Sequence, residues 1–400
     1  MIFEIILALI IGILAGTLTG LIPGLHVNLL ALILLSLIPK FPNLSILPLV
    51  TFIISMSITH TVNNTIPAIF LGAPEEDTFL SILPGHKLLL EGKGYEAIIL
   101  TIYGSLLALL LIIIISPVYI LILPSIYSSI KLLIPYILIF ISIYLILREE
   151  KPLTSIIVFL LAGLLGILTF NLPINEPLMP LLTGLFGLSA LTISIKNKIN
   201  LPKQIISPLN KIKISKTEFK KTTLAAILSA PICSFLPGIG AGHAALISSE
   251  TIPQTNRSFL ILLGSLNTIV MGLSFVTIYS INKARSGSAM AVQKILESFT
   301  LSNLIFFIFI ILISGIISAI IAIKLTKIFS KILNKINYNI LSIIISIFLI
   351  ILTYIVSSSI GILILATASS LGIYCISTNT RRINLMGSLI IPTIIFYLTI

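Results

Sequence analysis

The sequence predicts an all-α polytopic membrane protein, and three observations support that class. Hydrophobic residues fill 57% of the 400 positions and charged residues only 9%, whereas a soluble domain carries about 25% charged residues. The mean hydropathy is +1.21. Apolar runs of about 18 residues or more, long enough to cross a bilayer, recur from end to end. Because such a chain cannot cover a water-facing surface, we expect a multi-pass protein of the cell (plasma) membrane, embedded in the lipid bilayer.

The apolar segments fall into two sets of seven. The first set lies near residues 2–20, 24–38, 45–72, 97–123, 131–147, 154–170 and 178–195, and the second near 222–235, 238–250, 258–280, 301–323, 340–356, 359–376 and 383–399. Segments 24–38 and 238–250 are short for full spans and are candidate re-entrant hairpins, which need protein or water around their open backbone. The sequence therefore predicts about 10–14 membrane segments, some of them broken or re-entrant.

A polar stretch divides the chain into three regions. We expect a first membrane repeat at 1–195, a Lys-rich cytoplasmic linker at 196–221 and a second membrane repeat at 222–400. The linker carries eight lysines and one acidic residue, which makes it the clearest cytoplasmic loop by the positive-inside rule. The net charge of +12 is attributed to such loops. Because the basic residues form no separate domain, we expect no nucleic-acid partner.

Counting spans from the linker relates the two halves. The count places the polar loop 75–95 on the cytoplasmic side and the loop 281–298 outside. Because these loops occupy equivalent places, the halves are predicted to be inverted-topology repeats, as in many secondary transporters. Lys283, Arg285 and Lys294 then lie outside, against the charge bias, which is explained if this loop dips back into the protein.

Each half contains a Pro-Gly break followed by a histidine. Proline removes a backbone donor, and a helix that restarts after the break presents free N–H groups and its positive dipole end, which suit an anionic oxygen. The alternative is that these residues serve only as kinks and close-packing points. The predicted substrate-binding residues are Pro23, Gly24, His26, Asn28, Pro237, Gly238, Gly240, Gly242 and His243.

A second polar phrase follows the first break by about forty residues and the second break by about thirty. Amide and hydroxyl oxygens at membrane depth suit Na⁺, a hard cation that takes oxygen ligands, although helix–helix hydrogen bonding is the alternative. The predicted ion-binding residues are Asn63, Asn64, Thr65, Asn267 and Thr268. His26, His60 and His243 are candidates for a proton relay instead. We expect no cofactor and no metal centre, only Na⁺ or H⁺ as coupling ion, because the histidines lack metal-site spacing.

The loop after the first Asn-Thr phrase is rich in turn residues. Gly72, Pro74, Pro84 and Gly85 are predicted structural turns, with three acidic residues at 75–77 in a solvated loop. His86 is expected to be solvated there. No Walker A, H-E-x-x-H or nucleophile-elbow pattern occurs, so nothing indicates an ATPase or a standard hydrolase.

At these residues the chain resembles the large membrane subunit (permease) of the tripartite tricarboxylate transporters, in an archaeal-type form. The resemblance rests on Gly20-x-x-Pro23-Gly24, the run from Pro67 to Pro74, the phrase Leu83–Lys87, Gly92-x-Gly94-x-Glu96-Ala97, and the run from Phe235 to Ala241. It implies ion-coupled uptake of a carboxylate, with a small membrane subunit and an external binding protein as partners.

The combined reading is a secondary active transporter and not an enzyme. Its expected substrate is a di- or tricarboxylate-like small organic anion, held at the interface of the two repeats. The alternative is an intramembrane enzyme or a flippase acting on a lipid-linked substrate.

Overall fold

The computed structural model describes residues 2–22, 27–37, 45–71, 82–174, 176–197, 202–236, 240–296, 298–335 and 338–399. The first half contains α1 (Ile2–Leu21), α2 (Val27–Leu37), α3 (Ile46–Asn63), α4 (Thr65–Leu71), α5 (Ile82–Leu90), α6 (Gly94–Ile130), α7 (Ile134–Leu147), α8 (Pro152–Asn171), α9 (Leu178–Leu182) and, after the π-helical segment Thr183–Leu188, α10 (Ser189–Lys196). The second contains α11 (Lys216–Phe235), α12 (Ala241–Thr251), α13 (Asn256–Ile281), α14 (Gly287–Ile295), α15 (Leu301–Leu333), α16 (Tyr338–Ser377) and α17 (Gly387–Thr399). Within these ranges nine helical stretches are long and apolar enough to cross a membrane, which confirms the predicted class.

The two halves repeat the same succession of helix lengths. Helices α1 and α11 each have 20 residues, α2 and α12 each have 11, and α5 and α14 each have nine. Together α3 and α4 form a stretch of 26 residues, the length of α13. Because an 11-residue helix is about 16 Å long, α2 and α12 reach only about halfway across a ~30 Å hydrocarbon core.

Small residues bring α1 against α3. Gly12, Gly16 and Gly20 recur at every fourth position of α1, and a Cβ added at any of them would overlap α3. Gly12 faces Ser55 and Gly20 faces Asn63, so the two helices run in the same direction. This spacing of small residues lets helix backbones approach closely in membranes.

Helix α4 packs antiparallel to α6. The hydroxyl of Thr101 on α6 donates to the Thr65 hydroxyl at 3.0 Å. A Cβ built on Gly94, the first residue of α6, would lie 2.9 Å from the ring of Phe70 near the end of α4. The end of α4 therefore lies beside the start of α6.

Helix α6 in turn runs parallel to α13. Ser105 donates to the carbonyl of Gly264 at 3.3 Å, and further along both helices the hydroxyls of Tyr119 and Thr277 lie 3.1 Å apart. Since α3 and α4 oppose α6, the equivalent helices α3 and α13 run in opposite directions.

Helix α16 folds back on itself at Ser358, whose backbone has φ of 57°. A Cβ on Gly361 would lie 3.5 Å from Cγ2 of Thr353, eight residues earlier, whereas a straight helix separates such positions by about 12 Å. The two arms of α16 match the segments expected near 340–356 and 359–376.

The basic segments meet at one end of the molecule. The backbone N–H of Gly94 donates to Oε1 of Gln204 in the linker at 2.9 Å, and the backbone N–H of Gln204 donates to Oδ1 of Asn334, after α15, at 2.6 Å. Because α13 runs parallel to α6, the end of α13 lies at the opposite end. The end of α4 and the end of α13, which follow the two Asn-Thr phrases, are therefore at opposite ends of the protein.

The carboxylate of Glu218 forms hydrogen bonds at the starts of both α11 and α13. Glu218 forms a capping box with Ser215 and also accepts a 2.8 Å hydrogen bond from Thr255, the residue that caps α13. These bonds, that of Thr255 foremost, hold the pKa of the Glu218 carboxyl below its usual value.

Helices α7, α8, α10, α16 and α17 make their main contacts with one another. At the basic end an ionic network joins them to α12. Arg381 donates to Glu149 at 2.7 Å, and Glu250 of α12 lies 3.4 Å from Arg148 and 3.6 Å from Arg381. Glu149 is buried, whereas Glu250 remains half-exposed.

The structure corrects one prediction about the loop 72–90. Pro84 and Gly85 lie in the first turns of α5 and not in a turn between helices. Proline is tolerated there because the first N–H groups of a helix have no intrahelical partner. A Cβ on Gly85 would lie 2.8 Å from Cγ1 of Ile69, so glycine lets α5 pack on α4. The predicted turn residues Gly72 and Pro74 lie outside the described residues.

Candidate functional site

The centre of the protein contains a polar cluster where α3 crosses α13. The amide of Asn267 donates to the carbonyl of Thr61 at 3.0 Å and to Oδ1 of Asn64 at 3.1 Å. The hydroxyls of Thr61 and Thr268 lie 3.5 Å apart. All four side chains are buried. This crossing cluster (Thr61, Asn64, Asn267, Thr268) brings predicted ion-binding residues of both halves together.

Asn63 points away from the crossing cluster. Its amide donates to the carbonyl of Thr59 at 3.0 Å and to the hydroxyl of Ser318 on α15 at 3.2 Å. Ser318 in turn donates to the Thr59 carbonyl at 3.4 Å. The residues Thr59, Asn63 and Ser318 form a second group, the Asn63 cluster. Thr65 belongs to neither group, since its hydroxyl pairs with Thr101.

Both clusters hold buried oxygens without a hydrogen-bond donor among the described residues. These atoms are Oγ1 of Thr59, Oδ1 of Asn63 and Oδ1 of Asn267. Leaving a buried acceptor unpaired costs roughly 1–3 kcal/mol, and most buried polar groups in proteins are paired. One of these oxygens lies in the crossing cluster and two lie in the Asn63 cluster, and all three are of the kind that a hard cation takes as ligands.

The start of α2, which follows the first Pro-Gly break in the sequence, contacts α14. Pro23, Gly24 and His26 lie outside the described residues, but Asn28, at the start of α2, is placed. Its Oδ1 accepts hydrogen bonds from the backbone N–H and the hydroxyl of Ser288 at 3.0 and 3.1 Å. Asn28 thus accepts hydrogen bonds from the N-terminal end of α14.

Leu236, the residue before the second Pro-Gly break, contacts the turn just before α14. Pro237 and Gly238 lie outside the described residues. Gly240 is extended and precedes α12, whose first turn buries Gly242 and His243. On the other side of the break, Nε of Arg285 donates to the carbonyl of Leu236 at 3.3 Å. A half-buried guanidinium therefore lies beside this break.

The turn 285–288 contacts residues that flank both breaks in the sequence. Arg285 contacts Leu236, which precedes the second break, and Ser288 contacts Asn28, which follows the first. Between them, Ser286 caps α14 and its hydroxyl lies 3.4 Å from that of Ser274 on α13. Ser274 is seven residues from Asn267, or about 10 Å along the helix. A positively charged turn therefore lies close to the crossing cluster.

Sequence reasoning missed Arg285 as a site residue. The available signal was its position in a loop where basic residues oppose the charge bias. That signal indicated a loop dipping into the protein, and the contacts of Ser286 with Ser274 place the turn beside the body of α13.

Neither His60 nor His86 is a fully solvated side chain. His60 is buried, and its Nδ1 lies 3.0 Å from the Thr19 hydroxyl across the α1–α3 contact. His86, expected to be solvated, is half-buried in α5, and burial lowers the pKa of its imidazole.

Half-length helices entered through Pro-Gly breaks, packed around a buried polar centre, define a multi-pass membrane protein of the broken-helix type found in secondary transporters. Comparison with known protein families identifies the family to which the chain belongs. The chain belongs to the Tripartite tricarboxylate transporter TctA family, whose profile matches residues 6–387. It is also 33% identical over 385 residues to the uncharacterized protein MJ1079 of Methanocaldococcus jannaschii, covering 94% of each chain. No solved structure matches the chain.

Membership in this family has direct consequences. The chain is a permease-type, multi-pass protein of the cell membrane, from a family of transporters. Members of the family normally work with a small membrane subunit and a binding protein.

Proposed function

We propose that this chain is a secondary active transporter that couples the uptake of a di- or tricarboxylate-like anion to an ion gradient. The two Pro-Gly breaks and the turn between them hold the substrate, and the Asn-Thr phrases hold the coupling ion. The substrate-binding residues are Pro23, Gly24, His26, Asn28, Pro237, Gly238, Gly240, Gly242 and His243, and the ion-binding residues are Asn63, Asn64, Thr65, Asn267 and Thr268.

The contact of the turn 285–288 with residues that flank both breaks is the observation that carries the proposal. A guanidinium has five N–H donors and a permanent positive charge, and it recognises carboxylates in a bidentate geometry. Arg285 puts that charge beside the break that precedes α12. Asn28, which follows the other break in the sequence, and its hydrogen-bond partner Ser288 supply neutral polar groups. This chemistry suits an organic anion with more than one carboxylate.

Ion coupling is supported by the crossing cluster. Its amide and hydroxyl oxygens are neutral, buried and drawn from both halves. A cation bound there would neutralise part of the substrate's charge from about 10 Å away, across a low-dielectric interior where charges interact strongly. Na⁺ fits these oxygens, and H⁺ carried by His243 or His60 is the other candidate for the coupling ion.

Alternating access is supported by the repeat. The same succession of helices occurs in α1–α10 and in α11–α17, the latter beginning at Lys216, inside the segment 196–221 expected as the linker, and the equivalent helices α3 and α13 run in opposite directions. We infer that the halves are inverted repeats related by an axis in the membrane plane. Rocking of one group of helices against another would then expose a site on that axis to each side in turn.

The proposal is tested in liposomes containing the purified protein. With an inward sodium gradient, the liposomes are expected to accumulate radiolabelled citrate or succinate, and a sodium ionophore is expected to abolish the accumulation. Accumulation driven by a pH gradient alone would assign H⁺ as the coupling ion. Failure to accumulate either anion under either gradient, with the small membrane subunit and the binding protein co-reconstituted, would contradict the proposal.

A further inference from the structure

The hydroxyl of Thr59 behaves differently from its neighbours on α3. Buried hydroxyls in helices normally donate back to a carbonyl of the preceding turn. Thr51, Ser55 and Ser57 do so, at 2.7–2.8 Å. Thr59 is fully buried, yet its Oγ1 has no hydrogen-bond partner among the described residues. Its oxygen is therefore directed at something other than its own helix.

Asn63 places a second oxygen on the same face. Thr59 and Asn63 are four residues apart, so their side chains are neighbours on the helix surface. The amide nitrogen of Asn63 is fully engaged by Thr59 and Ser318, which fixes Oδ1 as the unpaired atom. The backbone adds a third oxygen, because Pro67 has no N–H to donate to the carbonyl of Asn63.

The negative end of α1 lies against these oxygens. Helix α1 ends at Leu21, and the last carbonyls of a helix have no intrahelical donor and carry partial negative charge. A Cβ on Gly20 would lie 2.9 Å from Cβ of Asn63, and one on Gly16 would lie 2.7 Å from Cβ of Thr59. Both glycines thus let the end of α1 approach closely. The local field favours a cation.

The second half shows how the equivalent position is satisfied there. Helix α11, the counterpart of α1, ends at Phe235, and the next carbonyl, that of Leu236, accepts a hydrogen bond from Arg285. A side-chain cation thus stabilises the negative end of α11. At the end of α1, the corresponding carbonyl is that of Ile22. In the described part of the chain, no basic side chain donates a hydrogen bond to it.

We propose that the Asn63 cluster is a cation site in its own right, separate from the crossing cluster, so that the transporter binds two cations. This deepens the proposed function and rests on its ion coupling. Thr59, Asn63 and Ser318 neither gain nor lose protons at physiological pH, so the bound ion is a metal cation of the Na⁺ type. The oxygens Thr59 Oγ1 and Asn63 Oδ1 are its side-chain ligands.

The test counts sodium ions bound to the purified, full-length protein. Equilibrium dialysis with radioactive sodium, at constant ionic strength in choline chloride, is expected to find two ions per chain. Thr59→Val keeps the side-chain shape and removes one ligand, so it is expected to bind one. Thr51→Val is the matched control, since its hydroxyl donates to the carbonyl of Leu47 on the same helix, and it is expected to bind two.

Each outcome decides between the two proposals. Thr59→Val removes an unpaired buried hydroxyl, so its melting temperature in choline should equal or exceed that of the unmodified protein. Asn267→Ala is expected to remove the other ion. A single ion lost in Asn267→Ala and retained in Thr59→Val would overturn the second site while leaving ion coupling intact. No bound sodium in the unmodified protein would overturn this inference together with sodium coupling.

Discussion

Replacing Gly16 by Ala is expected to push α1 away from α3. A Cβ at Gly16 would lie 2.7 Å from Cβ of Thr59 and closer still to the carbonyl oxygen of Met56. Carbon atoms pack best at about 3.5–4.0 Å, so α1 must retreat by roughly 1 Å. Overpacking of this kind costs about 1–3 kcal/mol. Alanine also gains about 1 kcal/mol over glycine inside a helix, which hides part of that cost.

Gly187→Ala is the matched control for this prediction. A Cβ at Gly187, in the π-helical segment Thr183–Leu188, would meet nothing closer than 3.8 Å, so alanine causes no overpacking there. Gly16→Ala is therefore expected to be less stable than Gly187→Ala by up to about 1–3 kcal/mol. Thermal unfolding in detergent, followed by circular dichroism at one fixed heating rate, measures the difference as a lower melting temperature for Gly16→Ala. Equal melting temperatures would refute the close contact of α1 with α3.

Two further predictions concern the charged groups at the basic end. Folding lowers the pKa of Glu218 from 4.5, so its carboxylate stabilises the protein above that value, and the stabilisation is lost as pH falls through the lower folded-state pKa. Glu218→Gln is therefore expected to melt below the unmodified protein at neutral pH, with the gap closing as the pH falls below 4.5; a gap independent of pH would contradict this. Glu149 is 5% exposed and Glu250 23% exposed, so Glu149→Gln should cost several kcal/mol and Glu250→Gln less than about 1 kcal/mol. Thermal unfolding of both variants checks the order, and a larger loss in Glu250→Gln would show that the half-exposed pair is the stronger contact.

The sequence was sufficient to predict the long apolar helices, because length and apolarity decide them, whereas α5 and α14 lie in segments that were expected to be loops. The short segments after the Pro-Gly breaks were expected to be re-entrant, and α2 and α12 are half-length helices. The Pro84-Gly85 turn was wrong because proline in the first turn of a helix costs no hydrogen bond. Such a position looks the same in sequence whether the helix begins before or after it.

The grouping of the polar side chains could not be predicted. Asn63 and Asn64 are adjacent in sequence, but successive helix positions point about 100° apart. One therefore faces α15 and the other faces α13. Which partner lies on each side depends on the packing of α1, α13 and α15, which no local pattern specifies. The role of Arg285 could not be predicted for the same reason, since its contact with Leu236 joins residues 49 positions apart.

The most direct test of the central claim compares two basic residues of one turn. Lys283 is exposed and lies over the ring of Tyr127, whereas Arg285 lies beside the second break. In sodium-driven liposome uptake of radiolabelled citrate or succinate, Arg285→Gln is expected to reduce uptake at least tenfold, which corresponds to about 1.4 kcal/mol of lost interaction. Lys283→Gln is expected to leave uptake unchanged. Equal uptake by the two variants would contradict the placement of the substrate site at the turn 285–288.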